Sequence, residues 1–221
     1  MLKAILIDFD GTLVDSLKLF EEANYYAFKE LGYNIDPEEL RDKLGMSFED
    51  ILKAIISKYP ELNNLDLEKF NKIRNKYIIE NLHKIKLHKG AIELINFAKE
   101  NNIKLAVVSS SKRDFVNTAL EYLKIDNVFD IVLTSDDVKN AKPDPEIFLK
   151  ALNLLKVKNY ECVAIEDSIY GIIAAKRAGI PVYAVLTGVN NKKEIENLKP
   201  SSIFKNLYDV YLYLKNNLIN I

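Results

Sequence analysis

The stretch Ala4-Ile5-Leu6-Ile7-Asp8-Phe9-Asp10-Gly11-Thr12 decides the fold. Four consecutive apolar residues, two acids flanking a phenylalanine and a Gly-Thr turn read as a strand buried on both faces that ends in a polar loop. Further runs repeat the pattern. Lys104–Val108 ends in Ser109-Ser110-Ser111, and Ile131–Leu133 ends in Thr134-Ser135-Asp136-Asp137. Residues 162–165 end in Glu166-Asp167-Ser168, and residues 182–186 end in Thr187-Gly188. A helix-like segment follows each. This alternation predicts an α/β fold, a Rossmann-like core with a parallel five-stranded sheet. In open parallel sheets ligands bind outside the carboxyl ends of the strands, which is where these polar residues collect.

One stretch breaks the alternation. Between residues 16 and 86 only helical periodicity is visible. Leu17, Phe20, Ala23, Ala27 and Leu31 share a helix face, and Gly32 stops that helix. Pro37-Glu38-Glu39 reads as a helix start, Ser47-Phe48-Glu49-Asp50 as an N-cap, and residues 66–82 as a further helix. The expected organisation is an α/β core of residues 1–15 and 87–221 with an all-helical cap of residues 16–86 inserted in it. Linkers near residues 14–16 and 86–90 join the two.

Composition narrows the function classes. The 221 residues are 48% hydrophobic and 29% charged, an ordinary globular balance. Lys+Arg is 31 and Asp+Glu is 32, giving a net charge of −1. That argues against nucleic acid as a partner, since such domains carry a net basic stripe; a small anionic substrate needs only a few local charges. Cys162 is the one cysteine, so no internal disulfide framework exists and a reducing compartment is expected. No apolar run is long enough for a membrane span, and the N-terminal apolar stretch is too short for a signal peptide. The expectation is a soluble cytoplasmic protein, monomer or homodimer, with no membrane partner.

Two carboxylates two residues apart at a strand end are costly to hold together unless they share a cation or a proton. At this point the sequence resembles the haloacid dehalogenase-like superfamily of phosphohydrolases, whose motifs occur here in order. They are Asp8-Phe9-Asp10-Gly11-Thr12, the strand-end Ser109, Lys142 in Ala141-Lys142-Pro143-Asp144-Pro145, and Glu166-Asp167 in Ile165-Glu166-Asp167-Ser168-Ile169-Tyr170-Gly171. The single helical cap between the first two motifs resembles the phosphoglycolate phosphatase and β-phosphoglucomutase branch.

The resemblance implies a mechanism. Asp8 attacks phosphorus and forms an aspartyl-phosphate, splitting one hard displacement into two easier ones. Asp10 is the general acid for the leaving alcohol and then the base for water, so it must carry a proton at the first step. Ser109 and the Ser110 backbone N–H bind the phosphoryl group, and Lys142 neutralises it. Ser109-Ser110-Ser111 also reads as a helix N-cap. Gly11 lets the chain turn, and Thr12 tightens the loop over Asp8. Mg²⁺ is the implied cofactor, held by the Asp8 carboxylate, the Asp10 main-chain carbonyl and the Asp167 carboxylate, with Glu166 bound directly or through water. The implied partner is a small phosphorylated metabolite.

Within that branch the substrate signal is thinner. β-Phosphoglucomutases carry a His five residues after the acid corresponding to Asp15, where this chain has Phe20, and an Arg after a cap Gly-x-Ser, where Gly45-Met46-Ser47 is followed by Phe48. Both departures favour hydrolysis of a sugar phosphate or phosphoglycolate. A phosphomutase, a pyrophosphatase and a non-catalytic module are the alternatives. The remaining conspicuous residues read as structural. His83 and His88 are badly spaced for a metal, Cys162 is strand packing, and Tyr208, Tyr211 and Tyr213 form a core or dimer surface. Asn190-Asn191-Lys192-Lys193 reads as a solvated loop.

Overall fold

The computed structural model describes residues 1–41, 43 and 48–218, with only the backbone of residues 48–50 and 218. Strand β1 is Ala4–Ile7, and a two-residue strand β2, Val14–Asp15, leads into the helices. These are α1 (Leu17–Glu30), α2 (Pro37–Arg41), α3 (Phe48–Ile55) and α4 (Leu67–Glu80). The chain returns through β3 (Lys86–Leu87), then alternates: α5 (Ala91–Glu100), β4 (Lys104–Val108), α6 (Arg113–Tyr122), β5 (Ile131–Leu133), α7 (Glu146–Leu155), β6 (Cys162–Glu166). It closes with α8 (Ile169–Arg177), β7 (Val182–Val185), α9 (Lys192–Asn197), β8 (Ser202–Phe204) and α10 (Leu207–Leu218).

The main sheet is parallel throughout and runs β5-β4-β1-β6-β7-β8, six strands instead of the five expected. The extra strand is β8. Its three residues, Ser-Ile-Phe, are half-buried at the sheet edge and carry too short an apolar run to announce a strand. Successive residues along the central strands face opposite sides. Ile5, Ile7, Leu105, Val107, Val163 and Ile165 pack one way, against Leu94 of α5, Val116 of α6 and Val210 of α10. Ala4, Leu6, Ala106, Val108, Cys162 and Ala164 pack the other way, against Ile147 and Phe148 of α7 and Ile172 of α8. Both faces are covered, which is why these strands read as continuous apolar runs.

The helical block has a cluster of its own: Ala27, Phe28, Ile35, Leu40, Ile51, Ile55, Leu62 and Phe70 are all buried together. Helix α1 packs on α4, with the rings of Phe28 and Phe70 4.7 Å apart. Gly32, at φ +83°, follows the end of α1, and the Asp66 side chain caps α4 by accepting from the Lys69 amide. The entering and leaving chains pair as an antiparallel ribbon, Val14 with Leu87 and Asp15 with Lys86. The expected N-cap at Ser47 and the Gly45-Met46-Ser47 turn lie outside the described residues.

Two expectations about loops need correction. Asn191 caps α9 by accepting from the Glu194 amide, so the Asn-Lys stretch opens a helix and is not a plain loop. Helix α6 begins only at Arg113, so Ser109-Ser110-Ser111 does not cap it; the Asp136 carboxylate accepts from the Arg113 amide instead. Cys162 is buried as expected, with burial pushing its thiol up to about 12. Tyr211 packs edge-on to Phe97, and Tyr213 packs on Tyr183 and Phe204 at the sheet edge. Among the described residues no helix is long and apolar enough to cross a membrane.

Phe28 is fully buried whereas Leu149 is 49% exposed. Phe28→Ala is expected to cost about 3–5 kcal/mol in urea denaturation, and Leu149→Ala less than about 0.5 kcal/mol.

Candidate active site

Every sequence-predicted site residue lies at the carboxyl end of the sheet. Asp8 follows β1, Ser109 follows β4, Glu166 ends β6 with Asp167 next, and Lys142 arrives from the loop between β5 and α7. The adjacency of β4, β1 and β6 brings these ends together where the strand order reverses. Beyond Asp8 the chain turns at Gly11, at φ +83°, and the Leu13 and Val14 amides donate back to the Phe9 carbonyl. Phe9 is fully buried between Asp8 and Asp10.

The Lys142 ammonium is almost wholly buried and uses all three of its protons. It donates to Asp8 Oδ1 at 2.6 Å, to Glu166 Oε1 at 2.6 Å and to the Val108 carbonyl at 2.9 Å. Its pKa is raised by Asp8 and Glu166, which outweigh the effect of burial.

Asp167 sits beside this pair. Its Oδ1 accepts from the Thr12 hydroxyl at 2.7 Å, which ties the loop after Asp8 to the last acid of the site. Its Oδ2 lies in a slot walled by glycine. A Cβ on Gly188 would stand 2.0 Å from Oδ2, and one on Gly11 would stand 2.4 Å away. Gly171 does the same for Glu166, with a would-be Cβ 1.9 Å from Oε2. The Thr187 hydroxyl donates to the Gly11 carbonyl at 2.6 Å and ties the two glycine loops together.

Asp8, Glu166 and Asp167 each offer a carboxylate oxygen within 4.8 Å of the others, all buried. Three carboxylates face one ammonium. Burial, then the neighbouring Asp8, pushes Asp167 up to about 8 and Glu166 well above the usual carboxylate range. A cluster of hard oxygen donors that must otherwise take up protons fits a small divalent cation such as Mg²⁺.

Asp10 is held apart from this cluster. Its carboxylate accepts from Ser16 at 2.5 Å and from Ser111 at 2.6 Å, with Ser109 at 3.5 Å. Burial raises its pKa to about 6 despite these bonds. Ser109 is buried and its hydroxyl accepts from the Ser111 amide; Ser110 is partly exposed at the mouth. Ser16, Ser111 and Gly188 were not singled out from the sequence, although Ser111 and Gly188 lie at strand ends and Ser16 in a linker visible there. His83 is exposed, and His88 follows β3 with its buried Nε2 unpaired among the described residues; neither joins the acids.

The sequence profile of the haloacid dehalogenase-like hydrolases matches residues 5–185. A phosphorylated carbohydrates phosphatase of Thermotoga maritima is 32% identical, covering 95% of this chain and 100% of its own. The pyrophosphatase PpaX of Bacillus cereus is 27% identical over 97% of both chains. The crystal structure of CbbY from Rhodobacter sphaeroides in complex with phosphate superposes with a TM-score of 0.83 at 25% identity, covering 95% of this chain and 96% of that one.

Two outcomes are expected. Gly188 is outside the left-handed region, so alanine there fills the slot without backbone strain. Gly188→Ala should therefore weaken Mg²⁺ binding about tenfold or more in titration calorimetry, with unchanged circular dichroism. Separately, Asp167 binds its proton more tightly folded (about 8) than unfolded (3.8). Its contribution makes the metal-free protein lose stability as pH rises between those values. A divalent cation bound there would replace the proton, so the rise in Tm on adding Mg²⁺ should be larger above pH 8 than at about pH 5; an equal rise at both would contradict this.

Proposed function

Because the chain belongs to the haloacid dehalogenase-like hydrolase family, we propose that it is a phosphatase that passes the phosphoryl group of a small phosphate monoester to Asp8 and then to water. The observation that carries this reading is the pairing of Asp8 with Lys142 at 2.6 Å, with Asp10 one residue beyond Phe9 and bonded by the hydroxyls of Ser16 and Ser111.

An Asp8 carboxylate oxygen attacks phosphorus while the bond to the leaving oxygen breaks, and Asp10 gives its proton to that oxygen. Water then attacks phosphorus, Asp10 takes the water proton, and phosphate departs with Asp8 restored. A pKa near 6 suits a group that must give and take a proton near neutrality. Ser109 and the Ser110 amide orient the phosphoryl oxygens, and the Lys142 ammonium offsets their charge. Asp8, Asp167, Glu166 and the Asp10 carbonyl would hold Mg²⁺, which when bound neutralises charge between the phosphate and the carboxylates.

In this reading residues 16–86 form a cap over the core of residues 1–15 and 87–221, and the β2/β3 ribbon is its hinge. Closing the cap keeps water from the first step. Phe20 is buried against Phe115 at 4.9 Å, so position 20 offers no polar group to turn a sugar bisphosphate. That favours hydrolysis over phosphomutase activity, with a sugar phosphate or phosphoglycolate as substrate. Pyrophosphate is a second candidate, since a relative over 97% of the chain is named a pyrophosphatase. The buried single cysteine suits a cytoplasmic enzyme.

Phosphate release from 4-nitrophenyl phosphate tests the reading. It should require Mg²⁺ and stop with EDTA. Asp8→Asn should reduce it to background, and Asp10→Asn should lower kcat about 10²–10⁴-fold with folding intact. Turnover by Asp8→Asn at the wild-type rate would refute the mechanism. Conversion of a sugar 1-phosphate to its 6-phosphate faster than phosphate release would make it a mutase.

A further inference from the structure

The third serine after β4 has no part in a helix cap, because α6 begins only at Arg113. All of its polar groups are nonetheless engaged. The Ser111 amide donates to Ser109 Oγ at 2.9 Å, so it orients the hydroxyl that would meet the phosphoryl group. Its carbonyl accepts twice from Ser135, just beyond β5, from the amide at 3.0 Å and from the hydroxyl at 3.2 Å. Its own hydroxyl donates to Asp10 Oδ2 at 2.6 Å, while Ser16 donates to Oδ1 at 2.5 Å. A hydroxyl–carboxylate bond of this length is charge-assisted and stronger than one between neutral groups. The main chain of Ser111 is thus braced from the neighbouring strand end, and its side chain serves one carboxyl 101 residues away in sequence.

Resting on the phosphatase reading, we propose that Ser111 is a positioning residue for Asp10, aiming its carboxyl at the leaving oxygen in the first step and at the attacking water in the second. A carboxyl held at both oxygens cannot turn about its Cβ–Cγ bond. It has about four acceptor positions on its two oxygens, so the hydroxyls fix its plane and leave room for the proton it transfers. When the bond from phosphorus to the leaving oxygen breaks, that oxygen keeps the electron pair and takes the proton, and Asp10 is left ionised. Both serine hydroxyls then donate to the anion where it formed. The two bonds differ in origin. Ser16 lies between β2 and α1, on the way into the helical block, whereas Ser111 and its brace Ser135 lie in loops of the main sheet. Strand β4, which carries Ser111 at its end, pairs directly with β1, which carries Asp8. Ser111 therefore sets Asp10 in the same frame as the nucleophile, so that acid and nucleophile meet the two sides of one phosphorus.

The test uses the 221-residue chain with Mg²⁺ and two esters of similar shape, phenyl phosphate and 4-nitrophenyl phosphate. Phenolate is strongly basic and needs the Asp10 proton to leave; 4-nitrophenolate departs readily as the anion. The ratio kcat/KM reports the steps up to loss of the leaving group, so attack by water does not enter it. Ser111→Ala removes the hydroxyl and keeps the amide and carbonyl bonds. It should lower kcat/KM for phenyl phosphate about 10- to 100-fold, with a loss for 4-nitrophenyl phosphate at least about fivefold smaller. Ser111→Thr, which restores a hydroxyl, should recover most of the loss. In an Asp10→Asn background Ser111→Ala should cost less than about twofold more, since no transferable proton is left to aim. Equal losses on the two esters would make Ser111 a support of the phosphoryl site alone, and would overturn the proposal. So would no loss on either ester, or a full additional loss in the Asp10→Asn background. Absence of Mg²⁺-dependent turnover of 4-nitrophenyl phosphate by the wild type would instead sink the phosphatase reading itself.

Discussion

One ammonium holds the site together. Lys142 bonds the carboxylate after β1, the last side chain of β6 and the last carbonyl of β4. Those are the three adjacent central strands of the sheet. Their register fixes where the three acceptors stand, and the ammonium has one proton for each. Removing one partner from a buried ion pair typically costs about 3–5 kcal/mol, because the survivor is left uncompensated. Lys142 is therefore a structural pin as well as a charge for phosphate. Its loop reaches the site because β5 lies at the sheet edge beside β4.

The acids around that pin are shaped as much by absent side chains as by present ones. Gly11 and Gly188 come from separate loops and Gly171 from the first turn of α8, and each stands where a methyl group would collide with a carboxylate. Thr12 then holds the one oxygen of Asp167 that the glycines leave to be bonded. Desolvation acts on the whole cluster and sets it against its own charge, so the same packing that positions the carboxylates makes them seek protons or a cation.

What could be read in advance follows from the range of each signal. The buried central strands wrote themselves into the chain as runs of apolar residues, and the motif acids followed directly on them. Residues 131–133 were legible for the same reason, although the strand is only three residues long. The edge strand β8 was not, since half its surface faces water and Ser202 opens it. The capping role of Asn191 was hidden because lysines and asparagines look alike in a loop and in a first turn. Partners across long stretches of chain were beyond reach: Thr12 with Asp167, Ser111 with Asp10, and Arg74 with Asn24 meet only once the fold is formed. Periodicity says which face of α4 is apolar, and it says nothing about which polar residue on that helix meets Asn24 of α1.

The β2/β3 ribbon bears on how such a chain can fold at all. Strands β1 and β4 are neighbours in the sheet, yet the whole helical block separates them along the chain. Closing so long a loop costs entropy before any pairing repays it. The block gathers its own apolar cluster, and the pairing of Val14 with Leu87 and Asp15 with Lys86 brings its two ends side by side. Once that ribbon zips, β1 and β4 are joined by the short loop before β2 on one side and by α5 with its flanking turns on the other, and an interrupted sheet behaves as an ordinary strand–helix–strand unit. The insertion is thus nearly invisible to the topology of the core, which can carry a large helical excursion without slowing the search for its central pairing.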